Sequence, residues 1–520
     1  MGATVTETAE GHHTYTFNRT LMDENAHLLV AELFADLNLL PQPAPAKVEE
    51  EGPVGTPRVP ELTVNFTKQL SYFGKSIAVG DFNGDGVKEA FIGAPGYSLK
   101  AYGQLGAVYY SSLNPITPEI DPSQPHLTAN TAYSRFGFSL AAMDVNRDGV
   151  DDLVVSAPAY GLGGPSDISD YYAKAYAGRV YVYLAIPGLG IKKGSQPSFS
   201  FAQSRNGDTD VFFNLGQNLK VSDCNGDGKD DLLILSPMSQ QGGDKRGHVA
   251  VFYDFMSKLN GTNDVLFMED ADFTAHGYID FQWFGFDAVC VGSNTIVIGS
   301  PGSRTRSPEQ AHGAVFAYDL TTGKQLYSLI SPDDQAKFGS SLSFNPVKNL
   351  LAVGAPSRSN GEYYHAGAAF VYDLSDDNKT FENYKTMYHS YERGARFGKQ
   401  VLWAGDEDLV VSAPSLTSYN TLAVPNEQGK VFWFEGADGL NGDYSTFWAK
   451  KTFETVEAGC RHGDFLKWVD ATGQLLVGSP MCHNFDSYGT QQRMAGRVHL
   501  FEEAKNNQTV VEVVPSLFLA

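Results

Sequence analysis

An all-β chain folded as a seven-bladed β-propeller is predicted by three observations. A Phe-Gly pair, a small-small-Pro turn and a Gly-x-Val-aromatic strand recur in that order seven times from about residue 61 onward. Glycine and aromatic residues are abundant, with 53 Gly, 33 Phe and 26 Tyr in 520 residues, and long helical patterns are few, as many short strands joined by turns require. A nine-residue acidic loop interrupts the first three repeats at one constant place. A repeat of this size cannot bury both of its faces alone and becomes stable by stacking on its neighbours.

The first repeat carries Phe73-Gly74, Ala94-Pro95 and Gly106-Ala107-Val108-Tyr109, and the second Phe136-Gly137, Ala157-Pro158 and Gly178-Arg179-Val180-Tyr181. The third opens on Leu215-Gly216, and the fourth to sixth on Phe284-Gly285, Phe338-Gly339 and Phe397-Gly398. The seventh is degenerate at His462-Gly463 but keeps Ser479-Pro480 and Gly496-Arg497-Val498. The Gly before Ala-Pro or Ser-Pro allows close backbone approach, and the Pro stops the strand. Ring closure needs an extra strand, because an open ring leaves raw edges. Leu62–Phe66 and Thr509–Val514 both read as strands, and both are placed in the seventh blade, with the N-terminal one outermost.

The three acidic loops are Asp81–Glu89, Asp144–Asp152 and Asp223–Asp231. Side-chain oxygens fill positions 1, 3, 5 and 9: Asp81, Asn83, Asp85 and Glu89; Asp144, Asn146, Asp148 and Asp152; Asp223, Asn225, Asp227 and Asp231. Position 6 is Gly in all three, which permits a sharp turn. Hard oxygen donors on a flexible loop suit calcium rather than zinc or copper. An EF-hand would need a bidentate Glu at position 12; Ile92, Val155 and Ile234 stand there, inside β-branched runs. Each loop therefore joins two strands and closes its ligand shell at position 9. A solvated acidic hairpin turn is the plain alternative for any one copy; three complete copies favour calcium, at three sites. In repeats four to seven the Phe-to-Pro distance contracts and the acidic ladder is absent, so the loop is an insertion in a hairpin.

Residues 1–60 form a separate N-terminal segment and 61–520 the propeller. Within the former, Leu21, Leu28, Leu29, Leu33, Leu37 and Leu40 predict a helix over 21–40. Six prolines and Glu49-Glu50-Glu51 make 41–60 an extended linker. The net charge of −22 argues against a nucleic-acid partner and against simple attraction to anionic membranes. No run is apolar enough for a transmembrane helix, and residues 1–20 lack the apolar core of a secretory signal. Sequons at Asn18, Asn65, Asn260, Asn378 and Asn507 fit an extracellular glycoprotein, as does the calcium that such loops need. Of four cysteines, Cys460 and Cys482 fall at strand ends that antiparallel pairing brings together, as a disulfide or as two free thiols. Cys224 occupies a non-ligand loop position, and Cys290 reads as core.

No G-x-S-x-G or HExxH motif is present, His12, His13 and His27 lack zinc-site spacing, and Asp333-Asp334 and Asp376-Asp377 read as loop solvation. No catalytic residue is assigned. The long insert 159–177, with Tyr160, Tyr171, Tyr172 and Tyr176, reads either as a recognition loop or as a packed one.

With these motifs together, the chain resembles the FG-GAP repeat proteins. Those include the head of integrin α chains and the C-terminal propeller of glycosylphosphatidylinositol-specific phospholipase D. The resemblance covers about residues 61–520. It implies that the twelve loop side chains are calcium ligands, with the backbone carbonyls of Val87, Val150 and Lys229 at position 7. The C-terminal placement of the propeller looks like the phospholipase, whose zinc-dependent catalytic domain would not fit in the 60 residues upstream; zinc is expected only if that domain comes from elsewhere. The implied function is a monomeric, calcium-bound module for ligand or substrate binding and scaffolding, with a protein or a glycolipid anchor on its loops. An integrin-like adhesion module and a hydrolase with an unrecognised site are the alternatives.

Overall fold

The computed structural model describes residues 3–7 and 13–17 and, between 56 and 502, all but short stretches, of which 114–123, 162–175 and 417–427 are the longest. It divides into two units, Met1–Glu51 and Gly52–Ala520. In the first, Ala3–Glu7 and His13–Phe17 pair antiparallel; the predicted helix over 21–40 lies outside the described residues.

The second unit is a seven-bladed propeller. In the first blade Ile77–Gly80, Glu89–Ala94, Ala107–Ser111 and Leu127–Thr128 run antiparallel in chain order, and blades two to six repeat that order for their first four strands. The first strands touch one another in turn around the ring, and Phe465–Val469 of the seventh blade returns to Ile77–Gly80 of the first. Second strands such as Glu89–Ala94, Thr295–Ser300 and Leu350–Ala355 are buried along their whole length. Among the described residues, seven apolar clusters fill the seven interfaces between neighbouring blades. Each buried Val, Leu, Ile or Phe there contributes roughly 1.5–3 kcal/mol of transfer free energy, so the core lies between blades rather than within them.

The repeat motif is the seam between blades. The Gly of each Gly-x-Val strand pairs in parallel with the Phe-Gly of the next blade, as in Gly106 with Phe136, Gly313 with Phe338 and Gly367 with Phe397. Phe73 pairs in the same way with Gly496 and so joins the first blade to the seventh. The amide of Phe136 donates to the Leu105 carbonyl at 3.1 Å, and Phe397 to Ala366 at 2.9 Å. A Cβ on Gly106 would stand 2.1 Å from the Phe136 carbonyl oxygen. The Gly before Ala-Pro is equally constrained: a Cβ on Gly354 would stand 2.1 Å from the Gly398 oxygen.

Leu62–Asn65 is the outermost strand of the seventh blade, antiparallel to Arg497–Glu502, as expected; Thr509–Val514 lies outside the described residues. Thr56–Arg58, within the predicted linker, instead adds a parallel edge to Lys451–Glu454 of the sixth blade, where Pro57 is tolerated because an edge strand can leave an amide unpaired. Cys460 and Cys482 are joined in a disulfide. Cys224 and Cys290 form a second, a pairing that their readings as a non-ligand loop residue and a core residue did not include; both are buried. Position 2 of each acidic loop points into the core, where Phe82, Val145 and Cys224 are all buried, and Cys290 on the next blade's first strand meets it there.

Two outcomes test this account. Gly354→Ala should destabilise by about 3 kcal/mol or more, at the upper end of overpacking costs, whereas Gly361→Ala, with left-handed backbone but open space around it, should cost about 1 kcal/mol. Equal losses of melting temperature would contradict the seam assignment. The second concerns pH. Burial drives His248 down to about 4 and His462 down to about 3, and His499 is likewise held well below its ordinary value. Depressed folded-state values mean that the unfolded chain binds more protons, so stability is full above about pH 6.5 and falls as pH drops towards 4. The raised carboxyls Glu89, Asp152 and Asp231 act with the opposite sign in that window, so the check is a comparison: His462→Phe, which restores the repeat's usual residue, should gain melting temperature relative to wild type as pH falls from 6.5 to 4.

Candidate metal loops

The three acidic loops connect the first and second strands of the first three blades, at the end of the innermost strands opposite to the Phe-Gly seam. Their shape comes from position 1. Asp81 accepts the amides of Gly84 at 2.7 Å and Asp85 at 3.1 Å through Oδ1, and that of Gly86 at 2.8 Å through Oδ2. Asp144 and Asp223 hold Gly149 and Gly228 in the same way, at 3.0 and 2.8 Å. Position 3 accepts from position 5, and position 5 from position 7: Asp85 to Asn83 and Val87 to Asp85, both at 2.8 Å. Gly86, Gly149 and Gly228 have φ of 83°, 90° and 78°, a conformation that glycine adopts without strain. Position 4 is also left-handed, and Arg147 holds it at φ 62°, its guanidinium paired with Asp254 at 3.3 Å.

Position 9 is the first residue of the second strand, and it is buried. Glu89, Asp152 and Asp231 are at most 3% exposed. Each accepts the amide of position 2: Phe82 at 3.1 Å, Val145 at 2.9 Å and Cys224 at 2.9 Å. Burial is the largest influence on these carboxyls and outweighs those hydrogen bonds. It raises Glu89, with Asp85 and Asp81 adding to the rise, and lifts Asp152 and Asp231 to about 7. A buried carboxylate among like charges favours either a proton or a cation.

In the first loop the structure brings together the carboxylates that the sequence analysis singled out, whereas the second and third loops share its turn hydrogen bonds. In the first, carboxylate oxygens of Asp81, Asp85 and Glu89 lie within 4.8 Å of one another. The Asn83 amide nitrogen donates to Asp85 Oδ2 at 3.1 Å and to Glu89 Oε1 at 3.0 Å, a neutral donor between two carboxylates. Among the described residues no Lys, Arg or His pairs with the carboxylates at positions 1, 5 and 9 of the first two loops; in the third, Lys229 lies 3.7 Å from Asp227. A divalent cation suits this donor set: all oxygens, with three carboxylates, one amide and the position-7 carbonyl per loop.

Position 8 ties one loop to the next, which spacing alone did not reveal. Asp151 Oδ2 accepts the Asp81 amide at 2.7 Å and pairs with Lys88 at 3.1 Å, while the Asp151 amide donates to the Asp81 carbonyl at 2.9 Å. The signal was a charge at position 8 in all three copies, Lys88, Asp151 and Asp230. Asp333 pairs with Arg358 at 2.6 Å and Asp334 with His312 at 3.2 Å, so neither is free for acid–base work. Of the tyrosine insert, Tyr160 lies beneath Arg179 and Tyr176 stacks on Phe212; Tyr171 and Tyr172 fall outside the described residues. No helix among the described residues is long and apolar enough to cross a membrane.

Residues 73–111 and 136–183 match the FG-GAP repeat family. Phosphatidylinositol-glycan-specific phospholipase D from Mus musculus is 28% identical over 494 residues, 84% of this chain and 56% of that protein. The Homo sapiens protein is 30% identical over 410 residues, 71% of this chain and 46% of that one. Integrin alpha-IIb from Mus musculus is 41% identical over 105 residues, 19% of this chain and 10% of the integrin. The chain thus spans about half the length of the phospholipase relatives. Replacing Gly228 by Ala should leave the fold intact, since nothing lies within 4 Å of the added Cβ, yet destabilise by about 1 kcal/mol through left-handed strain; a melting curve unchanged from wild type would contradict the turn geometry.

Proposed function

Because the chain is a propeller of FG-GAP repeats homologous to phosphatidylinositol-glycan-specific phospholipase D and to integrin alpha chains, we propose that it is a calcium-stabilised binding module. In this reading it presents ligands or substrate on propeller loops and performs no hydrolysis by itself. Asp81, Asn83, Asp85 and Glu89 hold one ion, Asp144, Asn146, Asp148 and Asp152 a second, and Asp223, Asn225, Asp227 and Asp231 a third. The carbonyls of Val87, Val150 and Lys229 complete the three sets. The observation that carries the proposal is the convergence of Asp81, Asp85 and Glu89, whose carboxylate oxygens lie within 4.8 Å of one another. Bound calcium would neutralise that charge and stiffen the loops that Asp151 ties together. The ligand class is a protein surface or a glycolipid anchor. The two disulfides support an extracellular or secretory setting, where thiols are oxidised and calcium is abundant.

Calcium should raise the melting temperature, because an ion that binds the folded state alone at 100 times its dissociation constant adds about 2.7 kcal/mol. Asp81→Ala and Asp144→Ala should each remove part of that increase, while magnesium, which demands a tighter octahedral shell, should give less. A chelator-insensitive melting curve would sink the metal assignment. Incubation with a glycosylphosphatidylinositol-anchored reporter, with zinc and calcium present, should release nothing; metal-dependent release would instead make the chain a hydrolase.

A further inference from the structure

The Phe-Gly end of the central channel carries chemistry opposite to that of the calcium loops. The residues that flank the Phe-Gly pairs stand where each innermost strand begins, one position before the pair and one after it in every blade. Six of these are basic: Lys75, Arg135, Lys337, Arg396, Lys399 and Arg461, from the first, second, fifth, sixth and seventh blades. The nearby carboxylate is Asp464. In a chain with 60 acidic and 38 basic residues, six cations against one acid at these positions is a reversal of sign. Lys75, Arg135, Lys337, Arg396 and Lys399 have no ion pair among the described residues.

Their geometry places them over apolar walls. Lys75 lies 5.4 Å above the Phe138 ring, Lys399 5.3 Å from Phe286 and Lys337 5.6 Å from Trp283. Beside Lys75 is a cavity of about 250 Å³, lined also by Arg135, Phe138, Asp464 and Met481. Arg135, Lys337 and Arg396 hold left-handed backbone, with φ of 56°, 54° and 56°. Glycine would adopt that conformation without strain, so the basic side chains are kept at these places at a conformational cost. The Lys399 ammonium is driven down to about 8 by burial; Asp464 pulls it back up, and Lys75, Lys337 and Arg396 push it lower. A field of this kind attracts anions.

We propose that this funnel binds a phosphate group, carried by a small soluble molecule or displayed as a lipid headgroup. A single carboxylate would leave most of the charge unmatched. A phosphate monoester brings a charge of roughly −1.5 to −2 and three strong acceptor oxygens, which can be shared among cations arriving from different blades. The aromatic walls accommodate an apolar substituent on the ester.

Calorimetric titration with phenyl phosphate, in low salt and with calcium present, tests the site. Binding should weaken at least tenfold in the double variant Lys75→Met, Lys399→Met and tighten in Asp464→Asn. Phenylacetate, of similar shape with one charge, should bind at least tenfold more weakly. Melting curves confirm that each variant is folded, and Lys75→Arg, which keeps the charge, should retain binding if the double variant proves unstable. Co-sedimentation with phosphatidate-containing vesicles, against phosphatidylcholine alone, separates the sources: retention on phosphatidate that phenyl phosphate cannot match assigns the site to a headgroup. Binding of neither probe, equal binding of phenylacetate, or indifference to the double variant overturns the proposal.

Discussion

The close backbone approach between Gly-x-Val and the following Phe-Gly is the contact on which the rest of the molecule depends. At Gly106 and Phe136, as at Gly367 and Phe397, two chains pair where any Cβ would strike a carbonyl oxygen. That approach sets the spacing between blades, and the spacing decides whether the seven apolar clusters close. Apolar burial is the larger energy, but it has no direction. The seam supplies the direction, because a hydrogen-bonded pairing tolerates little rotation.

The same seam separates two chemistries along the inner strands. At one end the first three hairpins are lengthened by a loop whose second position anchors in the core, through Phe82, Val145 and Cys224, and whose positions 1, 5 and 9 are carboxylates. At the other end the residues around Phe-Gly are held in left-handed turns that present basic and aromatic side chains. The propeller thereby keeps negative and positive charge a strand length apart, which limits their mutual neutralisation. The calcium reading and the anion reading rest on separate residues and stand or fall separately.

Burial also accounts for the departures at the seventh blade. His462 replaces Phe and remains fully buried, its Nδ1 beside the Ser479 hydroxyl at 2.9 Å and its ring against His499 at 4.9 Å. The disulfide between Cys460 and Cys482 braces the same turn, and Leu62–Asn65 seals the blade from outside. The ring is thus closed by pairing N-terminal residues with the last blade, where an exposed edge would otherwise invite foreign strands.

The blade number, the order of strands, the three acidic loops and the nearness of Cys460 to Cys482 were legible in the sequence because each depends on local spacing: a motif that repeats at constant offsets must repeat in space. Position 9 illustrates the limit. Spacing named Glu89, Asp152 and Asp231, but the tertiary structure decided that they are buried and clasped by the amide of position 2. Pairings across blades were not legible. Cys224 with Cys290, Asp151 with Lys88 and Thr56–Arg58 with Lys451–Glu454 each join residues whose separation in the chain carries no period. The cationic funnel was hidden for the same reason, since its members sit one or two per blade and amount to a cluster only when the ring closes. Local chemistry was written in the order of residues; the meetings between repeats were decided by the curvature of the ring, which follows from how closely two backbones can pass.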